Sequence, residues 1–201
     1  MKKIIVLALA LISFSVYSQK NKNADTMQVY IGKGMGGIIF NVSTEKEVAE
    51  RFGPDYWPEE IIVNQYFDQK KKVNVVIYNF KMKYIKKGII FNFTKEEGMP
   101  EKLTSIEIIP PFIVKTHEGI VLGQSTMQDV VKTYGYGTWG YSNKNKQVTK
   151  TYDGIVFYVS NNKKIKEFDK DYFNTTFLPL TVDKIVITSD PKAVYYIDKV
   201  K

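Results

Sequence analysis

The chain has no cysteine, one histidine and one arginine among its 201 residues. The absence of cysteine excludes disulfides, thiolate metal ligands, cysteine nucleophiles and a cysteine-linked acyl anchor. His117 alone cannot form a zinc or other transition-metal site of several imidazole or thiolate ligands. Arg51 is the only arginine, and nucleic-acid readers depend on the bidentate guanidinium fork, so no nucleic-acid partner is expected. We predict no metal and no other cofactor.

Only the N-terminus carries a long apolar run. Two lysines precede the apolar stretch from Ile4 to Phe14, and Val16-Tyr17-Ser18, with its shorter side chains at the first and third positions, precedes Gln19. This order is typical of a secretory signal peptide, whereas a membrane-spanning helix needs about 20 apolar residues. We therefore expect a signal peptide at residues 1–18, cleavage near Ser18-Gln19, and a periplasmic or secreted protein that is not integral to the membrane. An uncleaved N-terminal anchor is the alternative.

The formal net charge of +8 comes almost entirely from lysines. The lysines are scattered along the sequence rather than grouped, so a solvated surface is their expected role. Attraction to anionic glycans or lipid head groups is the second interpretation.

The sequence contains an internal repeat. The segment at 37–57, GIIFNVSTEKEVAERFGPDYW, aligns without a gap on GIVLGQSTMQDVVKTYGYGTW at 119–139, which places the only two tryptophans at equivalent positions. Further on, GIIFNF at 88–93 resembles GIVFYV at 154–159, and LTSIEI at 103–108 resembles VDKIVI at 182–187. We predict an α+β protein of two tandem units, residues 19–110 and 111–201, each a short helix packed on a small antiparallel sheet.

Each copy carries signals for the start and end of its helix. Thr44 with Glu47 forms a capping-box pattern, and Thr126 with Asp129 forms a weaker version of it. Gly53 and its counterpart Gly135 are predicted to end the helices in the left-handed conformation. The copies differ in the length of two spacers, and we expect the extra residues in loops, hairpin tips or strand extensions. The two sheets should lie side by side or pack together as one body.

The repeated pattern, a Ser/Thr helix start, a valine, an aromatic residue before glycine, then G-I-x-F and V-x-x-I-x-I, resembles two groups of proteins. These are the SmpA-type outer-membrane assembly lipoproteins and the tandem-unit β-lactamase inhibitory proteins. The resemblance implies an exported, non-catalytic chain that binds other proteins through a sheet or loop surface. Two features depart from it: the chain has no cysteine to carry a lipid, and strand-like residues stand where the first helix of each unit is expected.

Two segments that follow the predicted helices are rich in aromatic residues. Tyr136, Trp139 and Tyr141 alternate with glycines in YGYGTWGYSNKN, and Tyr56 and Trp57 lie in FGPDYWPEE. Exposed aromatic rings in loops suit both protein hot spots and stacking on sugars, so these five residues are the predicted partner-binding positions. In the other interpretation, which the repeat favours for the tryptophans, both indole rings close the edge of the core.

No combination of residues predicts catalysis. His117 lies in a linker without a nucleophile elbow nearby, and the acidic pairs at 59–60 and 96–97 lie among lysines in turn-like segments. We expect a binding module, not an enzyme, that recognises a protein partner in the cell envelope or outside the cell. The alternatives are a module for anionic glycan or lipid surfaces and an unrecognised hydrolase. The sequence gives no indication of the oligomeric state.

Overall fold

A computed structural model describes residues 26–70 and 72–190. The predicted signal peptide at 1–18 lies outside the described residues. None of the helices within them is long and apolar enough to cross a membrane.

The regular structure of the described residues is mostly strand, with a few short helices, and the predicted α+β class is confirmed. The part before Pro110 contains β1 (Met27–Tyr30), β2 (Gly34–Met35), β3 (Ile38–Ile39), α1 (Glu45–Phe52), β4 (Trp57–Asp68), β5 (Val73–Tyr84), a 3-10 turn (Ile85–Lys87), β6 (Ile89–Glu96) and β7 (Lys102–Ile108). The part after it contains β8 (Val114–Thr116), α2 (Met127–Tyr134), β9 (Thr138–Ser142), β10 (Gln147–Tyr152), β11 (Ile155–Ser160), α3 (Lys170–Phe177) and β12 (Lys184–Thr188).

Eight strands form one continuous sheet in the order β4-β5-β6-β7-β12-β11-β10-β9. Every neighbouring pair in it is antiparallel, and β7 meets β12 at the centre, where Ile108 lies opposite Ile185. A smaller sheet has the order β3-β2-β1-β8, and β1 and β8 run parallel in it. The expected side-by-side sheets are thus hydrogen-bonded into a single sheet, with β4 at one edge and β9 at the other.

The core lies on one face of the eight-stranded sheet. Alternate residues of its strands are fully buried there, for example Ile89, Phe91 and Phe93 of β6, because side chains along a strand point to opposite faces. The helices and the small sheet cover this face, and buried residues of all of them belong to the same apolar cluster. A fully buried side chain of this kind stabilises the fold by about 1.5–3 kcal/mol. Three residues of the opposite face, Val156, Tyr158 and Val186, form a second small buried cluster.

The predicted helix starts are confirmed, but the predicted helix ends are only partly right. Both capping boxes are present, around Thr44 and Thr126. Gly53 (φ 92°, ψ 166°) and Gly135 (φ 79°, ψ −161°) have the positive φ expected of them, but not the left-handed ψ. Their extended ψ directs the chain straight into β4 and β9, and this region of φ and ψ is essentially restricted to glycine.

The two spacers take different forms. In the first half the extra residues lengthen β4 and β5 into a long hairpin, which is a predicted kind of extension. In the second half they include α3, a helix that was not expected. Asp169 caps it by accepting hydrogen bonds from the backbone N–H groups of Asp171 and Tyr172, and its Phe173 and Phe177 are buried. Burial of these rings against β9 supplies the stability that an eight-residue helix lacks alone.

Candidate functional site

The described residues contain no group of three or more His, Cys, Asp or Glu side chains that could hold a metal ion. His117 is exposed, and its ring stacks on Tyr30 with 5.2 Å between centroids. The features that remain as candidates for function are surfaces.

The most prominent surface is the edge strand β4 together with the hairpin it forms with β5. β4 is twelve residues long, and among the strands of the described residues its only neighbour in the eight-stranded sheet is β5. β5 pairs with β6 only from Ile77 onward, so among the described strands the β4 residues from Tyr66 to Asp68 and the β5 residues from Val73 to Val75 pair only with each other. We call the segments from Ile61 to Asp68 of β4 and from Val73 to Val75 of β5 together the β4–β5 arm. Its end projects beyond the rest of the sheet.

Apolar side chains are exposed on both faces of the arm. By register, Ile62 and Phe67 share the face of the sheet on which the core lies, while Ile61 and Tyr66 lie on the opposite face. Their exposed fractions are 55%, 56%, 46% and 43%, respectively. Ile61 and Ile62 are consecutive, and so are Tyr66 and Phe67, so each pair places one apolar side chain on each face. The register shift between Ile62 and Asn64 decides only which member of the second pair lies on which face.

The beginning of β4 is charged and its middle is not. Glu59 pairs with Lys83 and lies 3.7 Å from Lys81, both on β5. The hydrogen bond from Lys83 is the main reason why the pKa of Glu59 is lowered, and the positive charges of Lys83 and Lys81 add to it. From Ile61 to Phe67 the strand has no charged side chain.

Tyr56 and Trp57 lie where the chain enters β4. Tyr56 is half-buried, with its ring centroid 5.6 Å from that of Tyr84. Trp57 is 67% exposed, so the expectation that both tryptophans close the core is wrong for this one. A cleft of about 290 Å³ opens beside it and is lined partly by Lys83 and Lys87.

Tyr136, Trp139 and Tyr141 lie at the opposite edge of the sheet. Tyr136 is 87% exposed. Trp139 is half-buried, and its indole Nε1 donates a hydrogen bond to Asn174 Oδ1 of α3 at 3.1 Å. Tyr141 packs on Phe173 of α3, with 5.9 Å between ring centroids. Core closure is therefore right for Trp139, and the five predicted residues do not form one surface.

The two tryptophans point to opposite faces of the sheet because the two strand entries differ in register by one residue. The Tyr84 hydroxyl donates to the carbonyl of Gly53, and the Tyr152 hydroxyl donates to that of Gly135, each at 2.8 Å. Trp57 pairs with Lys83, one residue before Tyr84, whereas Trp139 pairs with Lys150, two residues before Tyr152. A slip of one residue moves a side chain to the other face.

Three features were missed in the sequence. The tyrosines that bond to the helix ends have a readable signal, since each precedes a Gly-Ile-x-Phe segment. Helix α3 has a weaker one, the capping residue Asp169. Lys150 gives no signal, although it is 2% exposed and its ammonium lies 4.2 Å from the centroid of the Trp139 ring.

Comparison of the chain with protein-family models, with curated proteins and with solved structures finds no match in any of the three.

Proposed function

We propose that this chain is a non-catalytic binding module that recognises a protein partner through β4 and the β4–β5 arm. The observation that carries the proposal is the twelve-residue edge strand with exposed apolar side chains on both of its faces. We also propose that Trp57, at the start of the same strand, contacts the partner.

An open edge strand offers a row of backbone N–H and C=O groups to a further strand. Proteins usually protect such an edge with charges, proline or a covering element. In β4 charge and proline occur only at its two ends, in Pro58, Glu59 and Glu60 and in Asp68, and the stretch from Ile61 to Phe67 has neither. A partner that adds an extended segment here would gain main-chain hydrogen bonds, and the apolar side chains would provide specificity.

The finer description of the fold is part of the proposal: the two halves are diverged copies of one unit, each a short helix packed on a small antiparallel sheet. It is supported by matched contacts. Ser43 Oγ accepts a hydrogen bond from the backbone N–H four residues before it, and so does Ser125 Oγ, each at 3.0 Å. The capping boxes and the paired bonds of Tyr84 and Tyr152 recur in the same order.

We also propose that the protein is exported. The N-terminal pattern supports a cleaved signal peptide and a periplasmic or secreted protein. Mass spectrometry of the protein purified from cell envelope or culture medium should show a chain that begins at or near Gln19. An intact N-terminus on the exported protein would contradict cleavage.

The proposed surface is tested with the double variant Ile62→Lys/Phe67→Lys. Both side chains are more than half exposed, so the variant should fold with an unchanged melting temperature. Binding of proteins captured by the tagged wild-type chain from envelope extract should fall strongly, because two ammonium groups would have to be buried at the interface. The control is Val42→Lys/Ile113→Lys, which adds the same charge at exposed apolar positions outside the arm.

Equal capture by the arm variant and the control would contradict the proposal. The same variants examined by analytical ultracentrifugation show whether the captured protein is a second copy of the chain. Self-association that the arm variant abolishes and the control retains would identify the partner as this chain itself.

A further inference from the structure

A second surface differs from the arm in its chemistry. The turn between β9 and β10 and the loop after β11 enclose a cleft of about 380 Å³. We call it the lysine cleft, after the residues that line it: Asn143, Lys144, Lys146, Asn162, Lys163 and Lys164. Lys144 and Lys146 thus lie close to Lys163 and Lys164, which are far from them in the sequence.

The two loops that form the lysine cleft are held together by side-chain hydrogen bonds. Asn143 Nδ2 donates to the carbonyl of Ile165, and the N–H of Ile165 donates to Asn143 Oδ1, both at 2.8 Å. The N–H of Asn161 donates to the carbonyl of Lys146 at 2.7 Å. Ile165 is 4% exposed and Asn161 7%, so these two buried side chains anchor the loop. The lysines therefore project from fixed backbone positions.

The charges of the cleft are not balanced within it. No carboxylate of the described part of the chain lines it, and none of the ion pairs formed there includes one of its four lysines. Neighbouring ammonium groups repel one another, and the repulsion is relieved when an anion binds between them. Lysine acts as a mobile point charge, which suits a phosphate group.

We propose that the lysine cleft binds a phosphate group that carries more than one negative charge, either on a free small molecule or on the head group of a lipid. The exposed amide of Asn162 adds a neutral donor to the four ammonium groups. The cleft lies towards the β9 edge of the sheet and the arm lies at the β4 edge. The inference is therefore independent of the proposed protein partner.

The test measures binding of inorganic pyrophosphate to the full chain by isothermal titration calorimetry, at low salt and at about 0.15 M salt, where charge interactions are screened beyond about 8 Å. Vesicles of phosphatidylcholine, with and without phosphatidic acid, whose phosphomonoester can carry a second negative charge, form the second arm. The cleft variant is Lys144→Gln/Lys163→Gln. The control, Lys33→Gln/Lys102→Gln, removes the same charge from exposed lysines outside the cleft. The N-terminal segment is identical in both variants, so it cannot account for a difference between them.

We expect the cleft variant to bind pyrophosphate at least tenfold more weakly than the wild-type chain, and the control to stay within about twofold. One ammonium near an anionic oxygen contributes on the order of fivefold in water, and two are removed. Lysine-dependent binding to phosphatidic acid vesicles alone would identify a lipid head group as the source of the phosphate. No binding to either probe, or equal losses in the two variants, would overturn the proposal.

Discussion

Replacement of Lys150 by methionine should make the protein more stable. Lys150 is on the core-facing side of β10, opposite Trp139 of β9 and Phe157 of β11. It is 2% exposed, and no ion pair of the described residues includes it. Burial lowers its pKa, and the positive charge of Lys170 lowers it further. Its contact with the Trp139 ring offsets this cost only in part.

The structure supplies a model for the replacement. Counted from Tyr84 and Tyr152, the position of Lys150 corresponds to that of Met82, which is fully buried in the same core. Replacement of buried charges by apolar residues of similar volume has stabilised proteins by about 1–4 kcal/mol, and loss of the cation–π contact costs about 0.5–2 kcal/mol. We expect a gain of about 1–2 kcal/mol in the free energy of unfolding at pH 7. For a chain of this size that raises the melting temperature by about 2–8 °C.

The gain in the free energy of unfolding from Lys150→Met should become smaller as the pH rises. The pKa of Lys150 is lower in the folded state than in the unfolded state, so protonation favours unfolding. The unfavourable free energy of burying the charged Lys150 is fully present at pH values below the folded-state pKa. It vanishes as the pH rises towards the pKa of the unfolded chain, about 10.4. Thermal unfolding between pH 7 and pH 10 should therefore show the advantage of Lys150→Met shrinking with pH.

Lys184→Met is the matched control. Lys184 also lies over an aromatic ring, Tyr158, at 4.4 Å, but its ammonium is 3.1 Å from the carboxylate of Glu107. Its loss leaves Glu107 without this partner, so the control should not be stabilised. A lower melting temperature for Lys150→Met at pH 7, or a gain that does not change up to pH 10, would refute the reasoning.

Two further predictions concern α1 and the strand ends. The pKa of Glu45 is raised to about 7, first by burial and then by its hydrogen bond to Glu101 and the negative charge of that residue. The protonated Glu45 carboxyl therefore contributes to folding stability below about pH 4.5, and this contribution is lost as the pH rises through about 7. Thermal unfolding of Glu45→Gln should show a flatter dependence of stability on pH over this range. An unchanged dependence would contradict the prediction. Tyr84→Phe and Tyr152→Phe each remove the hydrogen bond to the carbonyl that ends a helix and should each lower the free energy of unfolding, measured in urea, by about 0.5–1.5 kcal/mol. The cost should be greater for Tyr84, which is 1% exposed, and a change in neither variant would show that these bonds do not stabilise the fold.

The helix starts and the central strands could be predicted from the sequence because their signals are local. A capping box needs only Thr44 and Glu47, and the alternation in β6 is visible in six residues. The α+β class followed from these elements. The lengths of the spacers indicated where the copies diverge, but not which form the extra residues take.

The remaining features depend on contacts between distant residues. Helix α3 is stabilised by burial of Phe173 and Phe177 against the strand that carries Trp139, and nothing in its own eight residues announces those neighbours. The lysine cleft required two loops to meet through Asn143 and Ile165. The opposite orientation of the tryptophans depends on a one-residue difference in register, which a gapless alignment of the two copies conceals.

The one-residue difference in register also contributes to the different surfaces that the two edges of the sheet present. At the β9 edge, the strand is five residues long, and α3 packs on its Trp139 and Tyr141. At the β4 edge, the strand is twelve residues long, Trp57 points to the face away from the core, and the spacer has lengthened the strand without adding a helix. In the proposed duplication, the two edges of the sheet are equivalent at the start. Because a helix packs on the aromatic side chains of one and the other is open and extended, a partner that adds a strand to this sheet is expected at β4 and not at β9.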